Sequence, residues 1–139
     1  MNPGKVSNSI LDRSVLRLIK SRNSRVAKPF IGADCGSIDI NEQDKRILCS
    51  ESCGIWPVYR AANNIYSCGG MPLAAHISVI MPRNFNEYNL KEQIRIINSQ
   101  CGIFGMQISG GHTQINDMVK APVVTVTGIG VTDSDEIVS

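Results

Sequence analysis

Apolar residues recur along the chain with two different periods, and the switches between them delimit the expected elements. Ile10, Leu11, Val15, Leu18 and Ile19 approximate a 3.6-residue repeat, with Ser7 or Ser9 placed to cap a first helix. Asn23 to Pro29 reads as loop. Two strand segments follow, Phe30–Ile40, interrupted by glycines, and Arg46–Ser50, separated by the polar turn Asn41 to Lys45. Pro57 suits the first turn of a helix through Val58, Ala61, Ala62, Ile65 and Tyr66. Gly69-Gly70 and then Pro72 supply its stop. Leu73 to Met81 is a strongly apolar strand closed by Pro82. A further helix starts near Asn86 or Asn89, turns Leu90, Ile94, Ile97 and Cys101 inward, and exits at Gly102 and Gly105. Met106–Ser109 reads as a short strand running into a loop Gly110-Gly111-His112-Thr113, and Val123–Val131 as a last, half-buried strand.

Interleaved strands and helices of this kind predict an α+β fold. The expected architecture is a two-layer sandwich, a mixed four-stranded sheet with helices on one face. The pattern contains no internal repeat and no low-complexity tract.

Composition narrows the class. At 139 residues, 42% hydrophobic and 19% charged, the chain is one ordinary globular domain that can bury a core without staples. No apolar run approaches the roughly 18 residues needed to span a bilayer, so no membrane role is expected. Lys5, Arg13, Arg17, Lys20, Arg22, Arg25 and Lys28 face only Asp12 in the first stretch. No aromatic residues are interleaved there for base stacking, which favours a solvated basic face over nucleic-acid binding. The five cysteines, an odd number without a C-x-x-C pair, argue against a disulfide framework and a zinc ribbon, and for reduced thiols in a cytoplasm.

The phosphate loop G-x-x-x-x-G-K-[ST] and the fingerprint G-x-G-x-x-G are both absent, so a nucleotide site would have to be built otherwise. Three segments at element ends are candidates. In Gly32-Ala33-Asp34-Cys35-Gly36, a glycine-flanked carboxylate can meet Mg²⁺ bound to phosphates; an ordinary Asx turn is the plainer account. Asn63 and Asn64 are consecutive poor helix formers in an apolar helix, either solvent-facing or donating to phosphate and coordinating a cation. Ser109-Gly110-Gly111-His112-Thr113 makes either a backbone cradle for an anion or a plain turn.

The order of these segments resembles that of the aminoimidazole ribonucleotide synthetase superfamily, over roughly residues 30–131. Asn63 to Leu73 looks like that superfamily's block of N-D-hydrophobic followed by G-A/G-x-P-L. Gly110-Gly111-His112-Thr113 resembles its G-G-(D/E/H)-T loop, Pro122 to Gly130 its next strand, and Gly32 to Gly36 its G-D-D-A-A loop. Glu51 falls where the family often has an aspartate. The histidine of G-G-H-T is most similar to the hydrogenase-maturation-like and selenophosphate synthetase-like branches.

The resemblance implies ATP and Mg²⁺ as cofactors and activation of an oxygen group of a small substrate or carrier protein by phosphorylation. It implies Asp34, Glu51 and Asn64 as metal positions and Asn63, Gly110, Gly111 and Thr113 as nucleotide contacts. His112, the catalytic candidate, would touch the nucleotide or the attacking group, and Lys5 would fold over phosphates, a role suggested by its charge and position. A homodimer through the sheet is implied as well. Residues 1–139 would be the N-terminal ATP-binding domain, with a C-terminal domain absent from this chain and the isolated domain inactive. Two positions depart from the family pattern. Asn64 replaces a metal-binding aspartate, and Cys35-Gly36 replaces a small apolar pair. These departures keep a second account open, a non-catalytic dimerisation or assembly module of the same fold.

Overall fold

The computed structural model describes residues 3–40 and 45–133. The expected turn at Asn41 to Lys45 lies outside these residues except for Lys45 itself. Helix α1 (Asn8–Ser14) is capped by Ser7, whose Oγ accepts from the Ile10 amide at 3.3 Å. It stops at Val15 and continues only as a 3-10 turn, Leu16–Leu18, so the expected helix is shorter than its apolar repeat. Ile10 and Leu11 are only half-buried and the rest of the repeat, Val15, Leu18 and Ile19, is exposed, and packing rather than propensity sustains most short helices.

The strands are β1 (Gly36–Asp39), β2 (Arg46–Cys53), β3 (Met71–Met81), β4 (Gln107–Ile115) and β5 (Val123–Thr132). They form one sheet in the order β1-β2-β5-β3-β4, five strands where four were expected. The short β1 is the only regular part of the expected strand segment Phe30–Ile40. β5 runs antiparallel between β2 and β3, while β3 and β4 are parallel, joined over the sheet by helix α3 (Glu87–Ile103). A parallel pair needs such a crossover.

Helix α2 (Pro57–Ser67) and α3 cover the same face. Val58, Ala61, Ala62 and Ile65 of α2 are buried against Ala75, Ile77, Val79, Met81 and Val126 or the neighbouring Leu48. The glycines of β5 make the approach of α2 close. A Cβ on Gly128 would lie 3.1 Å from Ala61 Cβ and 3.1 Å from Ile65 Cδ1, and one on Gly130 2.6 Å from Ile65 Cγ2. That explains the Val/Thr and Ile/Gly alternation of β5: small residues face the helix, while Thr125, Thr127, Ile129 and Val131 face the uncovered side.

Both long helices end in Schellman motifs. Gly70 N–H donates to Ile65 O at 2.9 Å and Gly69 N–H to Tyr66 O at 3.0 Å; after α3, Met106 and Gly105 repeat the pattern onto Cys101 and Gly102. The choice between Asn86 and Asn89 as the start of α3 resolves into both, since each side chain accepts from the other's backbone amide at 2.9 Å. Ile94, expected inside, is 37% exposed, because the contact face of α3 is narrower than the apolar set it carries.

The expected loop Gly110-Gly111-His112-Thr113 is part of β4. Ser109 is an extra residue against β3, with Ala75 paired to Ile108 and His76 to Gly110. The glycines carry the strand past this bulge. A Cβ on Gly111 would sit 1.7 Å from Ile77 O, so no other residue fits there without parting the strands.

Candidate nucleotide-binding site

β1 pairs with β2 only as far as Cys49, which leaves one edge of β2 beyond it without a strand neighbour. Over this free edge, between the lead-in and α2, lies a hollow of about 390 Å³ lined by Lys5, Glu51, Ser52, Cys53, Arg60, Asn63 and Asn64. Four positions singled out in the sequence therefore meet: Lys5, Glu51, Asn63 and Asn64. Helix α2 presents its share by ordinary spacing, since residues three and four apart lie on one face. Arg60 heads this face and was missed in the sequence, where the loops drew attention away from the turn before the asparagines.

The helix that supplies Asn63 and Asn64 begins at an unusual cap. Trp56 adopts left-handed backbone angles (φ 54°, ψ 50°) immediately before Pro57, whose ring disfavours the right-handed helical region for the preceding residue. The two asparagines have different surroundings. Asn63 is exposed. Asn64 is half-buried, and its Nδ2 donates to the buried Ser50 Oγ at 2.8 Å.

Asp34 stands beside this group, not within it. Ser67 Oγ lies 3.2 Å from Asp34 Oδ2 and 2.9 Å from the Asn64 carbonyl, within donating reach of both. Cys35 Sγ donates to the same Asn64 carbonyl at 3.2 Å. Burial pushes the Cys35 thiol far above its ordinary range. The adjacent Cys68 thiol and the charges of Asp34 and Cys49 push it the same way. It is therefore a protonated packing group. Asp34 and Glu51 both line a second, more apolar hollow of about 480 Å³ beneath Phe30 and Leu11.

The oxygen donors are not gathered into one coordination sphere. Glu51 Oε1 accepts from Thr127 Oγ1 at 3.2 Å on the uncovered face, and the Asn64 amide nitrogen is turned to Ser50 on the helix side. Among the described residues, no three His, Cys, Asp or Glu side chains converge on a metal position. Mg²⁺ demands a near-octahedral oxygen set at short range, and these residues do not fit it as a resident ion of this chain.

Gly110, Gly111, His112 and Thr113 are not brought to the hollow. Glu51 pairs with Thr127, Thr127 with His76, and His76 with Gly110, which sets Glu51 and Gly110 three strand spacings apart, on the order of 14 Å. His112 Nε2 lies 2.9 Å from Gln114 Oε1, with His112 in register with Ser78 and Thr125. Within one copy, the G-G-H-T segment lies in the edge strand β4, with β5 and β3 between it and the β2 edge that carries the hollow.

A two-layer α+β domain with an uncovered mixed sheet and a cationic, amide-rich hollow at its β2 edge is thus the class defined by fold and site. The chain belongs to the AIR synthase related protein family as an N-terminal domain, matched over residues 32–132. It is 31% identical over 71 residues to a putative hydrogenase expression/formation protein of Methanocaldococcus jannaschii, covering 51% of this chain and 21% of that protein. The chain thus spans about a fifth of that relative's length. Among solved structures, thiamine monophosphate kinase of Aquifex aeolicus shares the fold at a TM-score of 0.58 and 14% identity, over 79% of this chain and 39% of that one. PurL of T. maritima complexed with ATP does so at 0.60 and 15%, over 73% and 20%. A HypE-HypF complex does so at 0.57 and 19%, over 66% and 35%.

Proposed function

We propose that this domain binds the phosphates of ATP at the β2–α2 edge, as the nucleotide-binding part of a protein that activates an oxygen group of a small substrate or carrier protein. The observation that carries the reading is the convergence of Lys5, Asn63 and Asn64, with Glu51, around one hollow. Family membership and similarity to a protein solved with ATP support it. The chemistry would be in-line attack of a substrate oxygen on the γ-phosphorus, forming one P–O bond as the bond to the β–γ bridging oxygen breaks. In this reading Asp34 and Glu51 are the carboxylates that would face a metal arriving with the nucleotide, and the chain supplies no Mg²⁺ cage of its own.

The reading includes a homodimer through the uncovered sheet face. Such pairing is the route by which Gly110, Gly111, His112 and Thr113 of a second copy would approach the hollow of the first. It also includes a C-terminal domain beyond this chain and a cytoplasmic location. The comparison of lengths motivates the former, since the chain covers only 37–39% of two of the kinase structures it resembles.

A thermal-shift titration with ATP tests the proposal. At 100 times the dissociation constant, a ligand specific to the folded state adds about 2.7 kcal/mol, a shift of several degrees for a domain of this size. No shift at millimolar ATP, with or without Mg²⁺, would overturn it. That result would favour the second account, a non-catalytic assembly module, which Asn64, standing where the family resemblance implies a metal-binding aspartate, motivates.

A further inference from the structure

We infer that Arg60 and Lys5 form a direct phosphate grip that takes the place of a protein-held metal, so that a polyphosphate binds this domain without a divalent cation. The inference deepens the nucleotide reading by naming what holds the phosphates, but the anion site stands on its own observations. The hollow collects two cationic side chains and one carboxylate, Glu51, from three separate parts of the chain. Neither cation has an ion-pair partner among the described residues. The ion pairs among the described residues, Arg17–Asp12, Arg83–Asp117, Lys91–Glu87 and Arg95–Glu92, all lie elsewhere.

Chemistry and placement agree. Arg60, Asn63 and Asn64 share one face of α2, one turn apart, so a guanidinium and the exposed Asn63 amide can donate to the same anion. A guanidinium offers donors in a planar fork that matches two phosphate oxygens at once, a geometry an ammonium lacks. At position 64 the side chain is a neutral amide, so it adds no negative charge to the wall of the hollow and offers no carboxylate to a metal. The described donors gather no metal sphere, and the positive charge that a metal would bring is present as Arg60 and Lys5.

The test uses isothermal titration of this chain with inorganic tripolyphosphate and with ATP, each in EDTA and in Mg²⁺. Tripolyphosphate is expected to bind in EDTA, with Mg²⁺ changing affinity by less than about threefold. Arg60→Ala should weaken it by about tenfold or more, as loss of a charged hydrogen-bond donor does. Lys5→Ala should weaken it as well, and Lys91→Ala, which removes an equal charge on α3, should leave it unchanged. Arg60 is exposed, and circular dichroism would confirm that its variant is folded. Binding of ATP only with Mg²⁺ would keep the nucleotide reading and overturn the grip. Binding of tripolyphosphate but not ATP would keep the grip and overturn the nucleotide reading. Equal weakening by Arg60→Ala and Lys91→Ala would reduce the effect to general charge and overturn the grip.

Discussion

Gly111→Ala separates two accounts of the G-G-H-T segment. If the glycines exist to approach a ligand, an alanine should cost affinity and spare the fold. The structure predicts the reverse. The added Cβ would lie 1.7 Å from the Ile77 carbonyl oxygen, a backbone atom that no side-chain rotation can remove. Ordinary contact is about 3.5 Å, so β3 and β4 must part by about 1.8 Å against a strand spacing of about 4.8 Å. Overpacking of this kind costs about 1–3 kcal/mol, and weakened ladder hydrogen bonds add about 1 kcal/mol each. We expect a loss of about 3 kcal/mol, which for a domain of this size lowers Tm by about 10 °C. Urea and thermal unfolding of the ligand-free variant would measure it. Gly102→Ala is the control: it has open space around its Cβ in the last turn of α3 and should gain up to about 1 kcal/mol. A Gly111→Ala protein within about 0.5 kcal/mol of the parent would refute the strand-packing argument and return the segment to a loop role.

Three further outcomes follow from the same geometry. Ile65→Ala should cost about 2–5 kcal/mol in urea unfolding, because Ile65 is fully buried and fills the space left by Gly70, Gly128 and Gly130. Asn64→Asp should make ATP binding more dependent on Mg²⁺, read as a larger ratio of affinities with and without the metal; an unchanged ratio would remove position 64 from the metal's surroundings. Burial raises the thiols of Cys35, Cys49 and Cys101 above their ordinary value of 9.0, so the folded state holds protons that the unfolded state releases. Stability from these groups is therefore full below about pH 9 and falls as pH rises above it, and the fall measured by urea unfolding should be shallower in Cys35→Ala and Cys101→Ala.

Local rules carried much of the fold. Pro57, Gly69-Gly70 and the Asn86–Asn89 pair bound α2 and α3 correctly, because caps and stops are satisfied within a few residues of chain. The inner face of α2 was likewise readable at Val58, Ala61, Ala62 and Ile65, since burial follows the 3.6-residue period, although Tyr66 from the same set is exposed. The α1 repeat misled in length, as a periodic apolar stripe makes a long helix only where something covers it.

Other features were decided by partners far along the chain. The double glycine at 110–111 reads locally as a turn, and only its pairing with Ile77, more than thirty residues earlier, makes it a strand that must pass close to another. Likewise, the insertion of β5 between β2 and β3 is invisible in element order, yet it sets G-G-H-T three strands from Glu51. The hollow itself arises because β1 stops short of the end of β2, which lets Lys5 and Arg60 share a wall with the asparagines. Short-range sterics and periodicity belong to the sequence read alone; strand order and the joining of distant charges depend on which edges pair, and that is a property of the folded whole.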